Sequence, residues 1–420
     1  MFSVLRERNY RRFARSQIVS LIGTWMQRVA QDWLVLSLSG GSPVALGAAA
    51  GLQFLPILFL SLWAGVLADR VDSRRTLMIL QTLMALSALG LGLLDLTDTV
   101  QLWSVYLFCL VLGCLSALDA PIFETYVVEM VGTENAGSAV ALNSMNFNVA
   151  RIIGPAVAGS AIAWAGTGWV FIANAASYAA VVFALLMTDK HSLYRIPPAP
   201  RAPGMVREGL RYLRGRADLG ALMVLVLTVG VFANFTASLA VAAVQIFALG
   251  VDGYGYLSTM LALGMLLGAA GAVRRGVRGR PRLRVSFVCA AALGSVEAVL
   301  GLMPTAWLFG LVLIPVGAVL TLFVTAAHST IQLSVPPWVR GRVMGLYMMV
   351  LLGGTPLGAP LSGWLAQVLG ARAPFLVGGA VLALATLLSA LLLLRRDVAY
   401  AASSPGSDGA DDRVHRHSSY

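Results

Sequence analysis

Apolar runs of span length alternate with short polar breaks along almost the whole chain. Twelve such runs fall at 16–38, 44–68, 76–95, 101–123, 138–164, 168–188, 219–246, 254–273, 285–303, 306–330, 343–368 and 372–394. About 20 apolar residues are what a helix needs to cross a bilayer, and a helix satisfies its backbone groups internally. The pattern predicts an all-α integral membrane protein with 12 transmembrane helices. The longest break, 189–218, divides them into six and six. Its prolines (Pro197, Pro198, Pro200, Pro203) make the first part extended, and Val206, Leu210 and Leu213 among arginines make the second an amphipathic surface helix. The expected organisation is a first six-helix bundle (1–188), a linker (189–218), a second six-helix bundle (219–396) and a polar, disordered tail (397–420).

The halves resemble each other. SAVALN (138–143) and GPAVAG (154–159) are matched by RVMGLY (342–347) and GAPLSG (358–363), both displaced by 204 residues. Two matches at one offset, in the fifth and eleventh runs, indicate duplication. Parallel repeats of six helices mark transporters built from two pseudo-symmetric bundles.

Charge orients the spans. The chain has 420 residues, 58% hydrophobic and only 12% charged, with a net charge of +11. Soluble domains carry about 25% charged residues. With the N-terminus inside, 27 of the 30 Lys and Arg fall on the cytoplasmic side, Arg372 on the other, and Arg28 and Arg151 within helices. This follows the positive-inside rule, puts both termini in the cytoplasm of a multi-pass cell-membrane protein, and explains the basic balance without nucleic acid. The basic N-terminus lacks a small-residue cleavage site and reads as retained. Phe2, Leu5, Tyr10 and Phe13 among its arginines suit a short helix on the headgroup surface, with a solvated basic arm as the alternative. Cys109, Cys114 and Cys289 lie in apolar runs and read as buried hydrophobes.

After the second run comes GVLADRVDSRRTLMI (65–79). Gly65 permits close helix approach, Asp69 suits a helix N-terminus, and Arg70, Arg74 and Arg75 suit acids or lipid phosphates. A cytoplasmic turn with ordinary positive-inside arginines is the plainer reading. The stretch resembles the G-x-L-A-D-R-x-G-R-R/K motif of the major facilitator superfamily, except that Asp72 replaces a glycine. The second-half counterpart has Arg275 where the acid would be. The resemblance implies that Gly65, Asp69, Arg70, Arg74 and Arg75 stabilise one conformation of an alternating-access cycle. In the fifth run, Gly154, Pro155 and Gly159 give a close-packed, bendable segment. They resemble the fifth-helix G-P-x-x-G motif of exporters in that superfamily. GTWMQRVAQDWLVLSLSGGSP, DAPIFETYVVEMVG, ALNSMNFNVARIIGPAVAG, VREGLRYLR and VRGRVMGLY together look like the transmembrane secretion effector branch, which includes enterobactin-exporter-like proteins. Where that branch often reads D-x-P-A-R-Q, this chain has Phe123 and Glu124, which removes a positive charge.

Charges inside spans are costly, roughly 2.5–3.5 kcal/mol each on insertion scales, and default to a functional hypothesis. Arg28 lies about 18 Å into the first run and Asp32 about 6 Å further, on one helical face. Arg151 lies at similar depth in the fifth run, and Asp119 and Glu124 lie in the inner half of the fourth. In the superfamily fold the first, fourth, seventh and tenth helices line the cavity. Two readings compete: fixed Arg28–Asp32 and Arg151–Asp119 pairs that pin packing, or a carboxylate, Asp32 before Asp119, that exchanges a proton as access alternates. In the second, Arg28 and Arg151 hold the acids or meet an anionic substrate group. Gln53, Asn143, Asn146, Asn148, Asn234, Gln245, Thr325 and His328 are further cavity candidates. Glu297 fits only snorkelling or an oligomer contact, and Trp103, Trp307 and Trp364 read as interfacial anchors or core.

These features point to a secondary transporter that exports a small amphipathic or hydrophobic compound (drug, siderophore or secondary metabolite) in exchange for protons. An importer, facilitator or lysolipid flippase on the same scaffold is the alternative. A non-transporting receptor and a membrane enzyme are the readings of another class. Three of the four histidines lie in the linker or tail and no HxxxH pair is present, so neither a catalytic site nor a metal site is expected. GxxxxGK[ST] is absent, which argues against an ATP-driven pump. The expected partners are substrate, protons and lipids, with no cofactor and a monomeric chain.

Overall fold

A computed structural model describes residues 4, 6–68, 70–189, 193–194, 205–233, 235–276 and 283–403. The first six helices are α1 (Arg8–Leu38), α2 (Pro43–Ala68), α3 (Ser73–Leu96), α4 (Leu102–Val131), α5 (Ala136–Ala165) and α6 (Thr167–Leu186). A linker helix, α7 (Met205–Gly215), precedes α8 (Ala217–Phe232), α9 (Phe235–Val241), α10 (Val251–Gly276), α11 (Leu283–Leu302), α12 (Ala306–Ser334), α13 (Pro337–Leu369) and α14 (Ala373–Ser403). No strand occurs among the described residues.

Local chemistry sets the ends. Asp72 caps α3 by accepting the backbone N–H of Arg75, Gln101 and Ser104 form a reciprocal capping box on α4, and Thr305 accepts from Leu308 N–H to start α12. Gly166, at φ +88°, lets the chain reverse between α5 and α6.

Eleven segments among the described residues are long and apolar enough to cross a membrane, counting 217–246 as one. The remaining expected span is α1. Its 31 residues are ample in length, but four arginines near its start and Gln27, Arg28, Gln31 and Asp32 make it too polar to meet that standard. It packs centrally instead, against α5 and α6. The seventh span is not the continuous helix expected: α8 stops at Phe232, and α9 passes into a π-helical turn at Ala242–Ile246. Such turns inside helices often mark functional positions.

Three other expectations are corrected. The N-terminus does not lie on a surface from Tyr10 onward. α1 runs unbroken from Arg8, Tyr10 and Phe13 are fully buried, and the Tyr10 hydroxyl donates to Asn143 Oδ1 (3.1 Å). Phe13 sits edge-on to Tyr126, at 5.5 Å between centroids. Phe2 and Leu5 lie outside the described residues. α14 continues to Ser403, past the expected start of the tail at 397. Glu297 is neither snorkelling nor at a surface; it is 1% exposed between α11 and α14, against Gly378, and its Oε2 has no hydrogen-bond partner.

The helices pack chiefly within α1–α6 and within α8–α14, and two seams join the sets: α2 against α13, and α5 against α10. Glycines reveal the duplication in three dimensions. Gly113 of α4 meets the backbone of Gln53 on α2; Gly317 of α12, 204 residues later, meets Leu261 and Gly264 on α10. Gly154 of α5 lies on Trp25 of α1, and Gly358 of α13 on Val231 of α8. Gly159 of α5 lies on Asp252 of α10, and Gly363 of α13 on Pro43 of α2. At each position a Cβ would collide or press hard on its neighbour, so small residues set the helix spacing.

The face from which α1 starts, and which also carries α7, is here termed the linker face; the other is the far face. Both seams close near the far face, where Gly47 meets Ala359 and Gly255 meets the carbonyl of Pro155. Gln245 Nε2 donates to the carbonyl of Gly41 (2.8 Å) across the same edge. The cross-seam glycine contacts described run from there to Leu58 and Gly353.

Candidate functional site

α1 carries the polar face that organises the site. At 3.6 residues per turn, Thr24, Gln27, Arg28, Gln31 and Asp32 fall within a little over two turns of one side of the helix. The partners of that face come from several other helices. The hydroxyls of Thr24 and Tyr178 (α6) lie 3.1 Å apart, and Asn174 of α6 donates to Gln27 Oε1 (2.5 Å). Gln31 donates to Gln53 of α2 (3.1 Å). Polar side chains inside the first half are thus matched mostly to one another.

Neither of the expected ion pairs forms. Asp32 is buried, and its Oδ2 accepts from the hydroxyl of Tyr254 at 2.6 Å. Tyr254 stands one turn into α10, so this bond crosses from the first half to the second at the closed far face. Asp119 accepts from Gln81 Nε2 of α3 (2.9 Å) rather than meeting Arg151. Among the described residues, neither Arg28 nor Arg151 has a carboxylate within ion-pair distance. Both guanidinium groups instead lie over the ring of Trp25, with Cζ 4.6 Å (Arg28) and 5.4 Å (Arg151) from its centroid. Arg28 also approaches Phe54 (5.6 Å), and its Nε is buried without a hydrogen-bond partner. Gly154 is what lets α5 bring Arg151 to this ring, because a Cβ there would strike Trp25. A crevice of about 40 Å³ runs between Trp25, Arg28, Arg151, Pro155, Tyr254 and Ser258.

The other candidates are distributed more widely. Gln53 joins the site through Gln31, and Asn146 is buried on α5. His328 sits beside Tyr347, at 5.6 Å between ring centroids. Glu124 is exposed on α4. Gln245 does not line the interior: it is exposed at the far edge, where the π-helical turn directs it to Gly41. Asn234 lies outside the described residues, as does Asp69 of the loop motif.

The rest of that motif is structural in its contacts. Gly65 is in the last turn of α2. Arg74 is buried and caps the end of α6, its Nε donating to the carbonyl of Leu185 (2.7 Å) and its Nη2 to that of Leu186 (3.1 Å), where cationic donors offset the helix dipole. Arg75 pairs with Asp72 (3.4 Å) at the surface, and Arg70 is exposed. Ser73 donates to Glu129 Oε1 of α4 (2.8 Å). On the second half, Glu208 of α7 pairs with Arg342 of α13 (2.7 Å).

Sequence reasoning missed Tyr254. A tyrosine one turn into an apolar run carries no local signal, and its role depends on a contact with a residue 222 positions away. It also missed Trp25 as the platform for both arginines. No group of His, Cys, Asp or Glu that could hold a metal occurs among the described residues.

Comparison with known proteins fits this architecture. The chain is 26% identical to the MFS-type transporter YfiS of Bacillus subtilis (strain 168), over 94% of this chain and 96% of that one. It is 27% identical to the enterobactin exporter EntS of Shigella flexneri, over 73% of this chain and 72% of that one. The staphyloferrin A transporter of Staphylococcus aureus (strain NCTC 8325 / PS 47) matches at 29% identity, but over 40% of this chain and less than half, 42%, of its own length. Among solved structures, the nucleoside transporter NupG superposes with a TM-score of 0.71 at 14% identity, covering 92% of this chain and 99% of that one. The POT family transporter PepTSo gives 0.73 at 11% identity, covering 93% and 99%. These structures share the fold. The matched proteins are transporters rather than enzymes, and the fold is that of a multi-pass membrane protein. Matched from residue 1 to residue 409, the chain belongs to the transmembrane secretion effector family of the major facilitator superfamily.

Proposed function

We propose that this protein is a proton-coupled exporter of small amphipathic compounds, that its substrate enters from the linker face, and that Asp32 carries the coupled proton. The observation that bears the reading is the Asp32–Tyr254 bond. A buried carboxylate held by a donor from the opposite half has its partner only while the far face is closed. Hydrogen bonds to a charged group contribute about 1.5–3 kcal/mol, which is comparable to the bias that separates two conformations of a transporter. A proton on Asp32 removes the charge that makes the Tyr254 hydroxyl valuable, so far-face opening becomes easier. Loss of that proton restores the bond and favours closure. The linker face is the cytoplasmic face in this reading, supported by the arginines gathered there. Export is supported by the Gly154–Pro155–Gly159 segment, which builds the α1–α5 and α5–α10 contacts, and by relatives named for siderophores.

The test uses inside-out membrane vesicles with an acidified lumen and a pH-sensitive dye inside. Lipophilic and siderophore-like compounds are added to the native chain and to Asp32→Asn. Substrate-dependent proton movement that is present in the native chain and abolished in Asp32→Asn, at equal protein levels, is the expected outcome. Coupled movement that survives in Asp32→Asn would remove Asp32 from the coupling role.

A further inference from the structure

We infer that the crevice between α1, α5 and α10 is an anion-binding subsite, and that the compound the protein carries presents a carboxylate-like head to Arg28 and Arg151. The inference rests on the reading of the crevice as part of the substrate path.

Charge sets the problem. Two guanidinium groups line one crevice that no carboxylate lines; the carboxylate beside it, Asp32, accepts its hydrogen bond from Tyr254, which does line it. With Asp32 ionised, the local balance is one positive charge in excess. An unpaired cation at this depth is costly, and cation–π contact with Trp25 offsets part of that cost.

Geometry says what is missing. Stacking engages the face of a guanidinium and leaves its in-plane N–H donors pointing outward. Arg28 Nε is buried with no acceptor, so at least one of those donors is dry and unanswered. Two guanidinium groups brought to one indole, with donors free at their edges, suit a planar anion that accepts bidentate bonds. The crevice holds about 40 Å³ of space for water-sized groups, where one water needs about 10–15 Å³, and so takes a head group of a few atoms rather than a whole ligand. Trp25, Phe54 and Phe147 lie beside it to receive an aromatic or apolar body; Phe147 meets Trp25 edge-on at 5.6 Å.

The arrangement also fixes the sign of a linkage. Asp32 stands one turn from Arg28 on the same helix, so its negative charge weakens anion binding, and neutralising it strengthens binding.

Equilibrium binding to the purified full-length chain in lipid nanodiscs, with no gradient present, tests this. The probes are 1-naphthoate, its neutral methyl ester and the cation 1-naphthylmethylammonium. We expect naphthoate to bind at least about ten-fold more tightly than the ester, a difference that corresponds to roughly 1.4 kcal/mol, and the cation to bind worst. Arg28→Gln and Arg151→Gln should reduce naphthoate to the level of the ester, Arg28→Lys should keep part of the preference, and Asp32→Asn should tighten naphthoate binding. Ester binding by each variant shows that the site is still folded. Equal binding of acid and ester by the native chain, a preference for the cation, or naphthoate binding unchanged in both glutamine variants would each overturn the inference. Proton-coupled movement of the ester in vesicles, with no preference for the acid here, would uphold the transport reading and sink only the anion.

Discussion

The two halves share a skeleton and differ in what they place on it. Position by position at the 204-residue offset, Gly113, Gly154 and Gly159 correspond to Gly317, Gly358 and Gly363, and each pair makes the equivalent helix contact. The polar positions do not correspond. Trp25, Arg28, Asp32 and Arg151 face Val229, Phe232, Thr236 and Thr355 in the second half. Duplication preserved the spacing of helices, which any residue larger than glycine would spoil. The costly groups were kept, or acquired, once. The second half supplies a partner from outside the register instead: Tyr254, on the helix equivalent to α2 rather than α1. Backbone approach and membrane chemistry are therefore separable layers of this protein.

The comparison breaks most visibly if charge is moved across it. Phe232→Arg places an unpartnered cation where the second half has none, at a cost of about 2.5–3.5 kcal/mol. Membrane yield and thermal stability should both fall sharply. The reciprocal change, Arg28→Phe, removes a partly buried cation without a carboxylate partner and should raise the thermal midpoint in nanodiscs while abolishing naphthoate binding. A native-like yield for Phe232→Arg would show that the second half also offers a polar environment at that depth.

The seams offer a finer test. Gly159→Leu and Gly363→Leu overfill equivalent positions on α5–α10 and α13–α2, where overpacking costs about 1–3 kcal/mol. Each should disfavour far-face closure and increase labelling of a cysteine introduced at Ser238, which is buried beside Pro43 and Gly363, with similar magnitudes for the two. A large effect from one and none from the other would show that only one seam closes under load. The smallest effect is expected at the linker helix. Glu208 and Arg342 are partly solvated, and Glu208→Gln should change stability by at most about 1 kcal/mol, read from thermal unfolding.

Helix number, the six-and-six division and the repeat were legible because hydropathy and internal similarity are local properties of a sequence. Depth was legible too: counting residues placed Arg28, Asp32 and Arg151 near one another. Partners were not. The i,i+4 spacing of Arg28 and Asp32 suggested a pair, but Asp32 turns to Tyr254 on another half of the molecule, and Arg28 turns to Trp25, three residues back on its own helix. Arg74 reads as one more positive-inside residue, yet it is buried on the last carbonyls of α6. Such outcomes depend on which helices meet, and hydropathy does not encode that. Tyr10 shows the same limit. Its arginine neighbours suggested a surface segment, whereas its hydroxyl reaches the side chain of Asn143 inside the bundle.

That anchoring of Tyr10 has a mechanical consequence. Tyr10 and Asp32 are 22 residues apart on one unbroken helix, about 33 Å at 1.5 Å per residue. Tyr10 fastens one end to α5, while Thr24 and Gln27 bolt the shaft to α6. A rod clamped at three points cannot absorb a tug at its tip by bending or sliding alone. In the coupling proposed above, force applied where Asp32 grips Tyr254 would pass along the rod to α5 and α6, giving one proton at the tip leverage on the helices the rod is clamped to.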